Sequence, residues 1–119
     1  MPRILDIGSL NIDEVFGVRE FARAGETSSA LGYAVFPGGK GLNQSVALAR
    51  AGATVLHGGK VGEDGRFLVE LLREAGVDAA PVLFSPTPTG RAFIQVRQDG
   101  QNSILLYGGA NRELSESDI

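Results

Sequence analysis

Hydrophobic and polar positions change their spacing several times along the chain, and the first two patterns predict strands. Residues 3–8 are a short apolar run closed by a glycine, which favours a buried first strand. Residues 9–18 alternate polar and apolar side chains, the pattern of a half-buried strand. Because successive side chains of a strand point to opposite faces, Asn11 and Asp13 are expected to share one face.

The spacing then becomes helical in two stretches that are separated by a further strand. Residues 42–51 have apolar side chains at a helical period, residues 54–58 favour a strand, and residues 67–75 form a second helical stripe. Asp64 is placed to cap the N-terminus of the second helix. Strand, helix, strand and helix in succession predict right-handed crossovers and a parallel sheet covered by helices, which is an α/β fold.

The last third of the chain has the pattern of a hairpin instead. Residues 87–90 predict a turn, residues 91–98 form an alternating strand, and residues 103–107 form another. The Asp-Gly pair at residues 99–100 is a hairpin turn signal between these two strands. An antiparallel hairpin attached to an α/β layer predicts a small accessory sheet.

The final residues predict the start of one more helix. Residues 115–118 resemble a capping box, with Asp in place of the usual Glu. A natural domain seldom ends inside the start of its own helix. We therefore expect the 119-residue sequence to be truncated.

Composition and charge exclude several classes of function. The chain carries 11 Lys and Arg against 14 Asp and Glu, mixed along its length, so it offers no basic face for nucleic acid and no polybasic membrane anchor. It has no Cys, which excludes disulfides, thiolate zinc sites, Fe–S clusters and cysteine nucleophiles, and its one His leaves little for a metal cluster. Asp6 comes too early for a signal peptide, and no apolar run approaches ~18 residues. We expect a cytoplasmic protein.

Glycine is the unusual residue, at 17 of 119, and its densest cluster precedes the first predicted helix. Gly38, Gly39 and Gly41 surround Lys40 there. Glycines permit a positive φ and a close approach of the backbone, and a helix N-terminus presents free N–H groups, so the segment could cradle a polar ligand. Its spacing is neither that of a Walker A loop nor GxGxxG. A tight turn without a ligand is an equally good interpretation.

The other candidate residues also have two interpretations. Asn11 and Asp13 form either a structural feature, an Asx turn or a polar pair at a strand edge, or a ligand site, and the ligand site requires them to face Gly39. Ligands of α/β sheets bind beyond the carboxyl ends of the strands, where the first predicted strand ends, so the geometry permits it. The second Gly-Gly-Lys, residues 58–60, is interpreted as a strand-to-helix loop, and His57 as a packed or edge histidine.

Several motifs together resemble the N-terminal half of the ribokinases, within the PfkB family of carbohydrate kinases. Their order and spacing agree with that family, and the resemblance covers essentially the whole chain. The motifs are GSLNID at residues 8–13, GET at 25–27, GGKGLNQ at 38–44, GEDG at 62–65, TG at 89–90 and GANRELS at 109–115.

The resemblance implies a fold. Residues 1–119 would form the N-terminal part of a ribokinase-like domain, a Rossmann-type parallel sheet flanked by helices, with a small β-sheet lid inserted in the α/β core. The lid would cover a sugar site and would combine four strands. These are expected at about residues 12–18, 28–36, 91–98 and 103–107. Family members often pair through their lids, so a homo-oligomer is expected, formed through lid strands or through the exposed sheet edge.

The resemblance also implies roles for individual residues. Asn11 and Asp13 would hold sugar hydroxyls, with Asp13 as an acceptor. Gly39 and Gly41 would belong to the backbone of the cradle, and Lys40 and Asn43 would donate to the remaining hydroxyls. The candidate site residues are thus Asn11, Asp13, Gly39, Lys40, Gly41 and Asn43.

The family's catalytic aspartate, its anion hole and its ATP site lie in the C-terminal half, and so does the region that serves metal ions. We therefore expect the full-length form to use ATP and Mg²⁺, with a possible monovalent cation, to phosphorylate a ribose-like sugar. This chain alone is expected to hold no catalytic residue and none of those cofactors. Open alternatives are a non-catalytic sugar-binding or self-assembling module, and a kinase for another pentose or a nucleoside.

Overall fold

The computed structural model describes residues 2–119, and over that range it contains a three-stranded sheet, a four-stranded sheet and two α-helices. The strands are β1 (Arg3–Ile7), β2 (Asn11–Val18), β3 (Gly32–Gly38), β4 (Thr54–Gly62), β5 (Val82–Ser85), β6 (Gly90–Arg97) and β7 (Asn102–Tyr107). The helices are α1 (Lys40–Arg50) and α2 (Arg66–Glu74), and short 3₁₀ turns cover Glu63–Gly65, Gly109–Glu113 and Glu116–Asp118. No helix within residues 2–119 is long and apolar enough to span a bilayer.

The smaller sheet is parallel and the larger one is mixed. Strands β1, β4 and β5 lie in that order and run parallel, and α2 connects β4 to β5. The four-stranded sheet has the order β3, β2, β6, β7; its central pair is parallel and both outer pairs are antiparallel. The predicted α/β class is therefore confirmed, and we call the four-stranded sheet the lid.

The hydrophobic core lies between the parallel sheet and the two helices. Leu42 of α1 and Leu68 and Leu72 of α2 are at most 2% exposed, and Val55 and Val61 of β4 pack against them. The amphipathic spacing of both helices is the sequence feature that directs these side chains to one face.

Strand β1 was predicted to be buried, and this prediction is wrong. Leu5 and Ile7 are 53% and 41% exposed, because β1 is an edge strand and both side chains point away from α1. With Leu56 they line a shallow apolar cavity on the sheet face that the helices do not cover. Parallel strands are normally covered on both faces, which is why the apolar run indicated burial.

The loop predicted for residues 58–60 is also corrected, because these residues lie inside β4. A Cβ on Gly59 would come within 2.9 Å of the Gly8 carbonyl oxygen. The glycine pair therefore allows the chain after β1 to pass close to β4 without ending the strand.

Asp64 does not cap α2, contrary to the prediction. The helix begins at Arg66 with Gly65 at its N-cap, and the Asp64 carboxylate instead accepts hydrogen bonds from the backbone N–H (3.0 Å) and hydroxyl (2.6 Å) of Thr89. It also pairs with Arg91, which contacts Glu14 of the lid at 3.1 Å. Burial acts to raise the pKa of Asp64, but the Thr89 hydrogen bonds and Arg91 outweigh it and hold that pKa below its usual value.

The lid strands and the last turn can be compared with their expected bounds. The strand expected over residues 28–36 begins at Gly32 and ends at Gly38. The hairpin turn at residues 99–100 is present, with Gly100 at a φ of 89°. The capping box is confirmed: the Ser115 side chain and the Asp118 carboxylate complete it, and it begins a three-residue 3₁₀ turn.

Candidate functional site

An open cavity of about 470 Å³ lies between the lid and the start of α1. Residues from β2, β6 and β7, from the start of α1 and from the 3₁₀ turn after β7 converge on it. The lining consists of Ser9, Asn11, Asp13, Gly39, Lys40, Asn43, Ala92, Ile94, Ile104, Leu106, Tyr107, Gly108 and Asn111.

Asn11 and Asp13 lie in the first half of β2 and both line this cavity, as the alternation predicted. The Asp13 carboxylate lies directly over Gly38, where a Cβ would come within 2.4 Å of both carboxylate oxygens. Gly38 is therefore the residue that makes room for the carboxylate on the neighbouring strand. Burial raises the pKa of Asp13.

Gly39, Lys40 and Asn43, at the start of α1, also line the cavity. Gly39 has a φ of 101°, and a Cβ there would come within 2.6 Å of the Ser9 carbonyl oxygen, so both its conformation and its surroundings require glycine. Lys40 is the first residue of α1 and Asn43 follows one turn later on the same side of the helix. The cavity is therefore lined by a cation and an amide as well as by the Asp13 carboxylate.

Gly41 lies behind the cavity and does not line it. It is buried against Gly8, and a Cβ on Gly41 would come within 2.4 Å of the Gly8 carbonyl carbon. Next to it the Leu42 N–H donates to the Ser9 carbonyl at 3.0 Å. The other five predicted site residues line the cavity, whereas Gly41 packs against the turn after β1 and so positions the start of α1.

Asn111 is a cavity residue that sequence reasoning missed. Its amide N–H donates to Asn11 Oδ1 at 2.7 Å and to the Leu10 carbonyl at 3.2 Å, and its own oxygen accepts the Leu10 N–H at 3.0 Å. Because Asn111 donates to the Asn11 oxygen, it fixes the orientation of the Asn11 amide. The available signal was its place in the GANRELS motif, two residues after a pair of glycines.

The lid supplies an apolar wall that was also not predicted. Alternate residues of β6 and of β7 face the cavity, because the two strands pair antiparallel in register. Those residues are Ala92, Ile94, Ile104 and Leu106. Polar groups on one side and this wall on the other suit a small ligand with several hydroxyls on a carbon skeleton.

The cavity was also tested against the cofactors that the resemblance implies. Within residues 2–119, no group of three or more His, Asp or Glu side chains is placed to hold a metal ion. Asp13 supplies the one carboxylate among the lining residues, and Lys40 lines the cavity as well. These residues do not fit a magnesium–nucleotide complex.

The chain belongs to the pfkB family of carbohydrate kinases, whose family model matches residues 1–119. Within that family it is similar to the ribokinase of Haemophilus influenzae, with 42% identity over 113 residues. That match covers 92% of this chain and 37% of the relative, so the chain spans well under half the length of this curated relative.

Solved structures of ribokinases have the same fold over this length. The ribokinase of Cryptococcus neoformans var. grubii serotype A, in complex with ADP, superposes with a TM-score of 0.86 and 45% identity, over 92% of this chain and 35% of that one. The Arabidopsis thaliana ribokinase, complexed with ribose and ATP, gives a TM-score of 0.84 and 34% identity, over 98% and 40%. The ribokinase-like fold predicted from the motifs is confirmed.

Proposed function

We propose that this chain is the sugar-binding and lid part of a kinase that transfers a phosphoryl group from ATP to a hydroxyl of a ribose-like sugar. One observation carries the proposal: the side chains of Asn11, Asp13, Lys40 and Asn43 line one cavity, beside an apolar wall. Family membership and similarity to ribokinases support this choice of substrate class.

Each wall of the cavity has its own task in this proposal. Asp13 accepts hydrogen bonds from two sugar hydroxyls, and Asn11, oriented by Asn111, binds a third. Lys40 and Asn43 donate to the oxygens on the other side of the ring. The apolar lid residues pack on the C–H groups of the sugar and exclude water from the hydroxyl groups.

The chain's contribution to phosphoryl transfer is then positioning. Transfer depends on holding the attacking oxygen in line and on neutralising charge on the transferred group. Bound ATP, with Mg²⁺ and a possible monovalent cation, would supply the phosphoryl group in a longer polypeptide. The residues described here hold and orient the sugar, so we propose binding without turnover for the 119-residue chain.

Titration calorimetry with D-ribose tests the sugar site directly. We expect saturable binding in the millimolar range or tighter, because several hydrogen bonds and an apolar contact combine in one cavity. The same titration with 2-deoxyribose and with a nucleoside distinguishes the alternative substrates: tighter binding of either would replace ribose in the proposal. No heat of binding with any of the three would contradict the sugar site.

A second candidate function is a self-assembling module, and the lid is the observation that favours it. Strand β7 is an edge of the four-stranded sheet, and its Leu105, which does not line the cavity, is 70% exposed. Tyr33 and Phe36 of β3, the other edge, are 59% and 51% exposed. A free edge with exposed apolar side chains favours association with a second copy.

We expect the native chain to associate at micromolar concentration, and Leu105→Lys to shift it to the monomer. A lysine on an edge strand would have to lose its hydration in the interface. Sedimentation velocity over a concentration series measures the change. Phe67→Lys is the matched control, since Phe67 is 41% exposed on α2 and away from the lid, and should leave association unchanged. A native chain that is monomeric throughout would contradict this proposal.

A further inference from the structure

A polar network lies in the core directly beneath the start of α1. Asp6 of β1, Ser45 of α1 and His57 of β4 form it, and the side chains of Ser45 and His57 are fully buried. The Ser45 hydroxyl lies 2.7 Å from Asp6 Oδ2 and 2.7 Å from His57 Nδ1, and His57 Nε2 lies 3.1 Å from the Gly8 carbonyl oxygen. Asp6 is 10% exposed.

The hydrogens in this network can be counted. A carbonyl oxygen only accepts, so His57 Nε2 carries a proton. The Ser45 hydroxyl has one hydrogen, yet it lies between a carboxylate and His57 Nδ1. Both contacts are hydrogen bonds when a second hydrogen sits on Nδ1 or on the Asp6 carboxyl. In either case Nε2 carries the hydrogen that is donated to the Gly8 carbonyl oxygen.

The network connects the two segments that carry the sugar site. Gly8 packs on Gly41, and Ser45 follows Gly41 by one helical turn on the same side of α1. His57 therefore contacts the turn after β1 through the Gly8 carbonyl, and contacts α1 through Ser45. On the cavity side of the same junction, the Ser9 carbonyl accepts the Leu42 N–H.

We propose that His57 is a positioning residue for the sugar site, which holds the turn at Gly8 and helix α1 in one fixed relation through its two ring nitrogens. Lys40 and Asn43 lie on α1 and Asn11 follows the turn, so this relation sets the distance between the two polar walls. The effect on sugar binding rests on the proposed function, whereas the effect on the position of α1 does not.

A purely stabilising role predicts a different behaviour. Replacing buried polar or ionic groups by well-packed apolar ones of similar volume is often neutral or stabilising. Under that role, the triple variant Asp6→Val, Ser45→Ala, His57→Phe, which leaves no carboxylate without its partners, keeps its stability and leaves residues 39–43 in place. Under the positioning role, it keeps stability but lets α1 and the turn shift, because an apolar contact does not fix direction as a hydrogen bond does.

The test uses NMR of the native chain, of the triple variant and of His57→Gln, in which the amide retains a donor toward Gly8. We expect the native imidazole ¹⁵N shifts to show hydrogen on Nε2, and the triple variant to shift the backbone amides of residues 39–43. Ribose binding should weaken by about three- to ten-fold, the loss expected for one hydrogen bond. His57→Gln should recover most of both effects.

Val69→Ala is the control for a loss of core packing, since Val69 is buried in α2 and makes none of the hydrogen bonds of the network; the amides of residues 39–43 and the ribose affinity should not change. A neutral His57 with hydrogen only on Nδ1, or a triple variant with unchanged amides at residues 39–43, would overturn the proposal. If the native chain binds no ribose, the proposed function fails while the amide shifts still decide the positioning role. If the triple variant does not fold, Ser45→Ala alone gives the same readouts.

Discussion

Asp13→Asn is expected to weaken ribose binding by about a hundred-fold. The Asp13 carboxylate lies in the cavity over Gly38 and accepts two sugar hydroxyls in the proposed complex. Hydrogen bonds to a charged group contribute about 1.5–3 kcal/mol each, and the amide retains one acceptor oxygen while it adds donors that face the sugar hydroxyls. The substitution keeps the shape of the side chain, so Gly38 still fits. Calorimetric titration with D-ribose measures the loss.

The control is Asp99→Asn, which makes the same chemical change in the exposed β6–β7 turn and should leave ribose affinity as it is. The pH dependence adds a second readout. Burial raises the pKa of Asp13, so ribose affinity should fall on acidification at a higher pH than an ordinary aspartate, near ~3.9, would give. The Asn variant should lack this dependence. Equal affinities of the native chain and of Asp13→Asn would contradict the role of the carboxylate.

The sequence allows the Asp13 side of the site to be predicted because the relevant signals are local. A strand has a period of two, so Asn11 and Asp13 necessarily point to the same side of β2. Lys40 and Asn43 are likewise one turn apart at a helix start that glycines and apolar spacing indicate. The resemblance to the kinase family is what places these two pairs in one site. Neither the strand period nor the helix period gives the distance between the pairs.

The remainder of the site depends on contacts between distant parts of the chain. Asn111 bonds to Asn11 across 100 positions of sequence, and no periodicity connects them. Asp64 satisfies the sequence rules for a helix N-cap. Its carboxylate instead accepts a hydrogen bond from Thr89 and pairs with Arg91, and both of these residues belong to another segment. In the same way, the apolar run of β1 indicates burial, but its neighbours in the sheet leave one face uncovered. In each case a tertiary contact decides between two locally acceptable structures.

Gly41→Ala is expected to destabilise the chain by about 3 kcal/mol, although alanine favours a helix by about 1 kcal/mol over glycine. The added Cβ would lie 2.4 Å from the Gly8 carbonyl carbon and 2.6 Å from the Ser9 nitrogen. Both contacts are to backbone, so no side-chain rotation relieves them, and α1 must move away from the turn after β1. Thermal or urea unfolding measures the stability, and ribose titration of the folded fraction measures the site.

Gly32→Ala is the matched control, because a Cβ at Gly32 meets nothing within 4 Å and the substitution should be neutral or slightly stabilising. The sign of the Gly41→Ala effect separates the two interpretations of the glycine cluster. A simple turn before a helix would tolerate alanine one residue into α1 and gain its helix propensity. If the cluster instead belongs to a sugar site that depends on the backbone contact between α1 and the turn after β1, Gly41→Ala lowers both the stability and the ribose affinity. A stabilised Gly41→Ala variant that still binds ribose would therefore contradict the close approach of Gly8 and Gly41.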